Sequence, residues 1–300
     1  MFSNKIVNTK LDHSKGIIFM VLSSFFFAIN DAIVKYTVKQ LGDDFSLFKI
    51  IFFRGAIACT LILILIFLFG KINLNKLFYE KRSYIRGIFE VLAAFCFLTS
   101  LMLMPMADIY TLINTAPLII TATGAIFLKE HVGIRRWSAV IIGFIGVLIV
   151  INPKNLQFGY VFILPILSAI FLTLRDVTTK GFKNSSTSLE IIFVTSILVS
   201  ISFGLTSLFF PINIDLLSIF YISISSIALT LAYLFSVLTI FYAPLSLTSS
   251  TRYSVIVFGI LFGYIFFKEI PSINMIIGGI IITLSGLFVI NRQKELGKIN

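Results

Sequence analysis

Apolar residues run along this chain in ten long blocks, at 16–36, 45–69, 84–104, 107–128, 135–151, 158–178, 189–209, 217–238, 242–267 and 271–291. The gaps between them are short and hold most of the Lys, Asn and Asp. An α-helix needs roughly 20 apolar residues to cross a bilayer. The pattern therefore predicts an all-α membrane protein of ten transmembrane helices. The first block follows a polar stretch, is too long for a signal-peptide core and has no A-x-A-like site after it. It reads as a retained first helix.

Composition agrees. Of 300 residues, 58% are hydrophobic and 12% charged, with a mean hydropathy of +1.04. Soluble domains are about 45–50% apolar and about 25% charged. An ordinary soluble enzyme and a disordered protein are both excluded. Ten helices use about two thirds of the chain, which leaves too little for a soluble domain of normal size.

The net charge of +11 matters through its placement. No dense Lys/Arg stripe with interleaved aromatics occurs, so nucleic acid is not an expected partner. With a cytoplasmic N-terminus, fifteen of the 24 basic residues fall on the cytoplasmic side and three, Lys39, Lys154 and Lys268, on the other. That bias predicts cytoplasmic N- and C-termini. Cys59 and Cys96 lie in apolar runs without a C-x-x-C, and carry no redox signal.

The chain repeats itself. Residues 124–152 align without gaps on 263–291 with 12 of 29 positions identical, including Lys129-Glu130 on Lys268-Glu269. Leu22-Ser23 and Asp31…Lys35 align on Leu167-Ser168 and Asp176…Lys180. The first segment thus resembles the sixth, and the fifth resembles the tenth. This predicts two five-helix repeats, 1–152 (helices 1–5) and 153–300 (helices 6–10). Five being odd, the second repeat is inverted. Inverted repeats mark secondary transporters, with the site near the midplane between the halves. A duplicated structural bundle without a transport role is the rival reading.

Several chemistries are missing. There is no GxxxxGK[ST], so the chain does not itself hydrolyse ATP. His13 and His131 lie outside the apolar blocks without metal-ligand spacing, so no metal, cofactor or Ser–His–Asp relay is expected. Asp43-Asp44 stands in a loop. The chain does not read as an enzyme.

What remains is a small set of polar residues at bilayer depth, where a charge costs about 2.5–3.5 kcal/mol on insertion scales. At about 1.5 Å per residue, Arg54 lies roughly 14 Å from the outer face and Arg252 roughly 15 Å from the inner one. Glu90 is offset from Arg54 by roughly 7 Å, within reach of two long side chains. The expectation is a cluster in which Glu90 neutralises one Arg and the other holds an anionic group. A purely structural network of the three stands as the alternative, and so does a proton-coupling role for Glu90. Asp31 and Lys35 have i,i+4 spacing near the outer end of the first helix, as an ion pair or an outer gate. Asn30, Tyr110 and Asn114 can line a cavity or bond between helices. Tyr253 and Phe53 flank the arginines and can stack on a planar substrate. Arg175 and Asp176 read as interfacial anchors. Pro117 and Pro165 predict breaks in their helices. Gly259 with Gly263, and Gly143 with Gly146, allow close helix approach.

Ten helices, two inverted halves and the F-x-K-E ends of the fourth and ninth segments resemble the drug/metabolite transporter superfamily, EamA type, over about 15–292. More narrowly, Asn30-Asp31-x-x-x-Lys35-Tyr36, Phe52-Phe53-Arg54, Arg86-Gly87 and Arg252-Tyr253 resemble the S-adenosylmethionine uptake transporters of alphaproteobacteria. Glu90 has no counterpart in that pattern. The resemblance implies the EamA transporter fold and transport of a polar organic metabolite by alternating access across a bacterial cytoplasmic membrane. S-adenosylmethionine offers a carboxylate for an Arg, an adenine for an aromatic and cationic groups for Glu90. Riboflavin and amino acids are alternative substrates within the same family, and a non-transporting scaffold or receptor is the alternative of another class. The expected partners are a small-molecule metabolite, the lipid bilayer and a coupling ion or exchange substrate.

Overall fold

The computed structural model describes residues 13–42, 46–69, 81–126, 133–152, 159–180, 188–210, 214–242 and 251–295. Among these residues all regular structure is helical. In chain order the helices are α1 (His13–Leu41), α2 (Ser46–Phe69), α3 (Lys81–Leu103), α4 (Met106–Ile113), α5 (Ala116–Ile126) and α6 (Ile134–Ile151). A 3-10 turn, Gly159–Phe162, then leads into α7 (Ile163–Lys180). The last four are α8 (Ser188–Ser207), α9 (Leu216–Tyr242), α10 (Ser254–Phe267) and α11 (Ile273–Glu295). Lys129, Glu130, His131, Asp43 and Asp44 lie outside the described residues.

The ten apolar blocks map onto these helices, the fourth in two pieces and the ninth described beyond its first residue only from residue 251 on. The fourth block is broken in two. Asn114 ends α4, Thr115 follows, and Pro117 stands in the first turn of α5, where its missing N–H costs nothing. The ninth is interrupted at Arg252-Tyr253, and α10 restarts at Ser254. Pro165, expected to break its helix, sits in the first turn of α7 and leaves it continuous. Six helices are long and apolar enough to cross a membrane by themselves, those of α1, α2, α3, α6, α9 and α11.

Each helix satisfies its own backbone, which a lipid environment requires. Buried hydroxyls bond back to carbonyls one turn earlier, as in Thr37 to Ile33 and Thr173 to Ala169, both 2.8 Å. Large apolar side chains cover the outside: Ile88 is 57% exposed, Val257 64% and Leu284 62%. In water such a surface would aggregate; in lipid it is the solvent-matched face.

Inside, α1 packs on α9, α2 on α8, α3 on α7, α6 on α11 and α4 on α10. Serines clasp several of these pairs through backbone carbonyls. Ser23 donates to Ala232 O (2.9 Å), Ser168 to Ala93 O (3.0 Å) and Ser200 to Phe52 O (3.0 Å). Glycines set the closest approaches. A Cβ at Gly146 would lie 3.0 Å from the Gly278 carbonyl, so α6 and α11 meet backbone to backbone.

Candidate functional site

Three polar layers cross the bundle. The first lies at the end opposite the start of α1 and the end of α11. There Lys35 on α1 is 2% exposed and donates to Glu269 Oε1 (2.7 Å) and to the Met104 carbonyl (2.6 Å). The other oxygen, Oε2, accepts the Met106 N–H at the start of α4 (2.9 Å). Glu269 reaches this point because Lys268 adopts a left-handed backbone (φ 57°) and turns the chain back over α10. A Cβ at Gly263 would stand 2.9 Å from Oε2. One carboxylate thus neutralises a buried ammonium and caps a helix. The expected Asp31–Lys35 pair is not made; the two side chains turn to different partners.

The middle layer is centred on Asn30, 1% exposed. Its Oδ1 accepts from Arg54 Nη1 (3.3 Å) and Ser225 Oγ (2.7 Å), and its Nδ2 donates to Asp31 Oδ1 (2.8 Å). The Tyr110 hydroxyl donates to Asp31 Oδ2 (2.6 Å). Ser226 Oγ donates to the Arg54 carbonyl (3.1 Å). Arg54 and Asp31 are 7% and 6% exposed. Arg54 Nε has no partner among the described residues, and neither do the buried Thr111 and Ser254 hydroxyls beside the two helix breaks. An unpartnered buried donor costs about 1–3 kcal/mol and needs an explanation. Gly259 makes room for Tyr110: a Cβ there would be 2.3 Å from Tyr110 Cδ2.

At the layer nearest the start of α1 and the end of α11, Arg175 Nη1 donates to both oxygens of Glu90 (2.9 and 3.2 Å). Arg86 bonds the Thr195 hydroxyl. Two expectations are corrected here. Glu90 does not neutralise Arg54, and Arg175 is not merely an interfacial anchor. The reason is topological. The consecutive helices α2 and α3 are not principal neighbours, because α3 packs on α7 and α8 while α2 packs on α8 and α9.

The two helix breaks touch. Tyr253, 6% exposed, donates its hydroxyl to the Asn114 carbonyl (3.2 Å), with its tip in the notch at Gly286. The Asn114 amide turns back to the Tyr110 carbonyl (2.7 Å) and caps its own helix. Arg252, expected in the midplane cluster with Arg54, is exposed at the break. Phe53 is 41% exposed and packs on Phe52. The structure therefore gathers Asn30, Asp31, Arg54 and Tyr110, joins Tyr253 to Asn114, and places Glu90, Lys35 and Arg252 elsewhere. Sequence reasoning missed Glu269 and Ser225. The repeated Lys-Glu dipeptide flagged the first, and nothing flagged the second.

A helical bundle with a lipid-matched surface, broken helices and buried ion pairs in layers defines a multi-pass membrane transporter. Residues 14–152 match the EamA-like transporter family. Its relatives run nearly full length. The S-adenosylmethionine uptake transporter of Rickettsia prowazekii is 25% identical, covering 93% of this chain and 94% of that one. The pseudopaline exporter of Pseudomonas aeruginosa is also 25% identical, over 93% and 97%. An uncharacterized transporter of Helicobacter pylori is 28% identical, over 95% and 98%. A solved crystal structure shares the fold with a TM-score of 0.56 at 14% identity, covering 91% of this chain and 98% of that one.

Proposed function

We propose that this protein is a secondary carrier that moves a polar organic metabolite across the cytoplasmic membrane by alternating access, with S-adenosylmethionine uptake or exchange as the leading candidate. The observation that carries the reading is Arg54, a buried cation in mid-bundle with an N–H that no atom of the described residues accepts. A guanidinium in that state suits the carboxylate of a substrate, which takes two parallel hydrogen bonds. Asn30, Asp31 and Tyr110 complete the cradle. Arg252, exposed at the helix break, meets the anionic group on its way in, and Tyr253 and Asn114 hold the two broken helices together at that point. Glu90 serves as the partner of Arg175, not as a direct contact to substrate.

The rocking units are the halves 1–152 and 153–300. Two features support this division. The offset of the alignment of 124–152 on 263–291, extended towards the N-terminus, carries Ala93 onto Ala232, and the pairing of Leu22-Ser23 with Leu167-Ser168 carries Ser23 onto Ser168. The bonds Ser23 to Ala232 and Ser168 to Ala93 are then one bond seen twice. The same extended offset carries Asn114 onto Tyr253, so both breaks fall at one position of the repeat. An inverted pair of halves is the usual frame for a midplane site.

One relative at equal identity is named an exporter, so direction is tested together with substrate. The experiment is uptake of labelled S-adenosylmethionine into reconstituted vesicles, with and without unlabelled compound preloaded. Saturable uptake stimulated by preloading is expected, with at least a tenfold loss in Arg54→Ala, about 1.4 kcal/mol of binding. Absence of uptake by folded protein removes this substrate. Wild-type uptake by Arg54→Ala removes the site.

A further inference from the structure

We infer that Asp31 is a proton-binding site, and that its protonation releases Arg54 for an anionic ligand through rotation of the Asn30 amide. The inference builds on the reading of Arg54 as the substrate's anion site and adds a coupling ion, the proton.

The argument starts from what each atom of the middle layer can do. Ionised Asp31 can only accept, and it has two donors: Asn30 Nδ2 on Oδ1 and the Tyr110 hydroxyl on Oδ2. With Nδ2 committed to Asp31, Oδ1 of the same amide faces Arg54 and Ser225 and accepts from both. Asn30 thus relays the charge of Asp31 to Arg54 without direct contact between the two ions. If a proton binds Asp31 Oδ1, that oxygen becomes a donor and meets the N–H of Nδ2. A half-turn of the amide removes the conflict, since Oδ1 of Asn30 then accepts from the new O–H. The same half-turn points Nδ2 at Arg54 and Ser225. The serine hydroxyl can turn and accept, but a guanidinium has no acceptor. Arg54 Nη1 therefore loses its partner and joins Nε, which has none already. Two N–H groups of one guanidinium become available to a carboxylate. Loss of the charge on Asp31 acts in the same direction, because an arriving anion no longer meets a like charge.

Asp31 is the carboxyl of this layer, and a second carboxyl, Asp108 on α4, lies within electrostatic reach of Lys35 and Glu269. From α2 Asp31 faces Arg54, and from α4 Tyr110. From α9 come the hydroxyls of Ser225 and Ser226, with Tyr233 within electrostatic reach of Arg54. Helix α10 carries no charged residue from Ser254 to Phe267. On α3, Glu90 is held by Arg175 and Arg86 bonds Thr195. Lys35, one turn further along α1, is engaged by Glu269 and the Met104 carbonyl. A proton also needs no cavity, which suits a layer where Ala28, Ala32 and Ile51 are fully buried. Linkage then makes proton and anion bind together: each raises the affinity for the other.

The test has a substrate-free part. Infrared difference spectra of the reconstituted protein between high and low pH should show a protonated-carboxyl band together with a change in the guanidinium bands. In Asp31→Asn the guanidinium change should vanish together with the part of the carboxyl band that Asp108→Asn leaves in place. In Asn30→Ala the carboxyl band should remain while the guanidinium change is lost. Asp31→Glu, which keeps the carboxyl, should retain the band with a moved midpoint and covers the case of a poorly folded Asn variant. A wild-type spectrum in Asp31→Asn overturns the proposal. So does a guanidinium change that survives Asn30→Ala. The second part is binding of S-adenosylmethionine across pH, which should tighten by up to about tenfold per unit of falling pH above the midpoint in wild type. Failure of that compound to bind, with the infrared pattern intact, overturns the substrate reading and upholds the proton site. Binding that is indifferent to pH overturns the coupling.

Discussion

Glu269→Gln isolates the charge of one residue at the sealed end of the bundle. The substitution keeps the shape and an acceptor oxygen but removes the countercharge of Lys35. In the native protein the ammonium stands 2.7 Å from Glu269 Oε1, with the Lys35 side chain 3% and the Glu269 side chain 17% exposed. Breaking a buried pair by neutralising one partner costs about 3–5 kcal/mol, because the other charge is left in a poor solvent. Lys35 keeps its bond to the Met104 carbonyl and its place 5.1 Å from the Phe267 ring, so the lower end, about 3 kcal/mol, is expected. Lys35→Met should cost less, about 1–2 kcal/mol, because Glu269 is more exposed and retains the Met106 N–H. The double variant, which removes both charges of the pair, should be more stable than Glu269→Gln alone. That rescue corresponds to a coupling of about 1–3 kcal/mol. Unfolding in detergent across a denaturant titration measures all four proteins. A double variant less stable than Glu269→Gln would refute the view that an orphaned ammonium is the source of the cost.

Further expectations concern other contacts. Gly259→Ala forces the Tyr110 ring away from α10 and should destabilise by about 1–3 kcal/mol, and an unfolding midpoint equal to wild type would count against the packing account. Tyr253→Phe removes the hydrogen bond between the two helix breaks and should cost about 1 kcal/mol in the same assay. Glu90→Gln should destabilise less than Glu269→Gln, since Arg175 keeps 18% of its side chain exposed, and equal losses would contradict the difference in burial. Asp215 lies ahead of α9, and bonds from Ser218, from its side chain and its backbone N–H, hold the carboxyl below the usual carboxylate range. A lowered carboxyl stabilises above its unfolded value and loses that contribution as pH falls through the folded one. Titration of its carboxyl signal against Asp215→Asn should therefore show a midpoint below that of a free aspartate.

The helices were legible because lipid imposes a simple rule on composition and length, and ten blocks obey it. Pro117 also announced the break in the fourth block. Partner choice was not legible, and the reason is specific. Glu90 and Arg54 lie on consecutive segments at compatible depths, and depth is all that counting residues can supply. Which faces meet depends on the order of helices around the bundle, and α8, packed on both α2 and α3, comes between them while α7 offers Arg175 to Glu90. Arg252 failed differently. Its depth was counted along one unbroken helix from residue 242, whereas the helical path is interrupted at Arg252-Tyr253 itself, so the count ends where it is needed. Asp31 and Lys35 show the limit of i,i+4 spacing. Such pairs are worth only about 0.2–0.5 kcal/mol on a helix surface, and in a buried layer stronger partners from other helices win.

The distribution of these partners bears on how the bundle can move. A carrier must break contacts between its halves and make them again in every cycle, and tightly interlocked apolar surfaces resist that because their loss exposes cavities. Polar contacts are easier to exchange, since water or substrate can replace the lost partner. Here Lys35 of the first half is held by Glu269 of the second at one end, and Glu90 of the first half holds Arg175 of the second at the other. Between them Asn30 and Arg54 meet Ser225 and Ser226. Under the proposed alternating access, opening the end that carries Lys35 exchanges its bonds to Glu269 and the Met104 carbonyl for water, while the Glu90–Arg175 pair stays shut. Opening the other end reverses the roles. In that mechanism each ionic layer is a closure released by hydration, and the middle layer, closed on either side, is the place where a ligand would be exchanged for the internal contacts of Asn30.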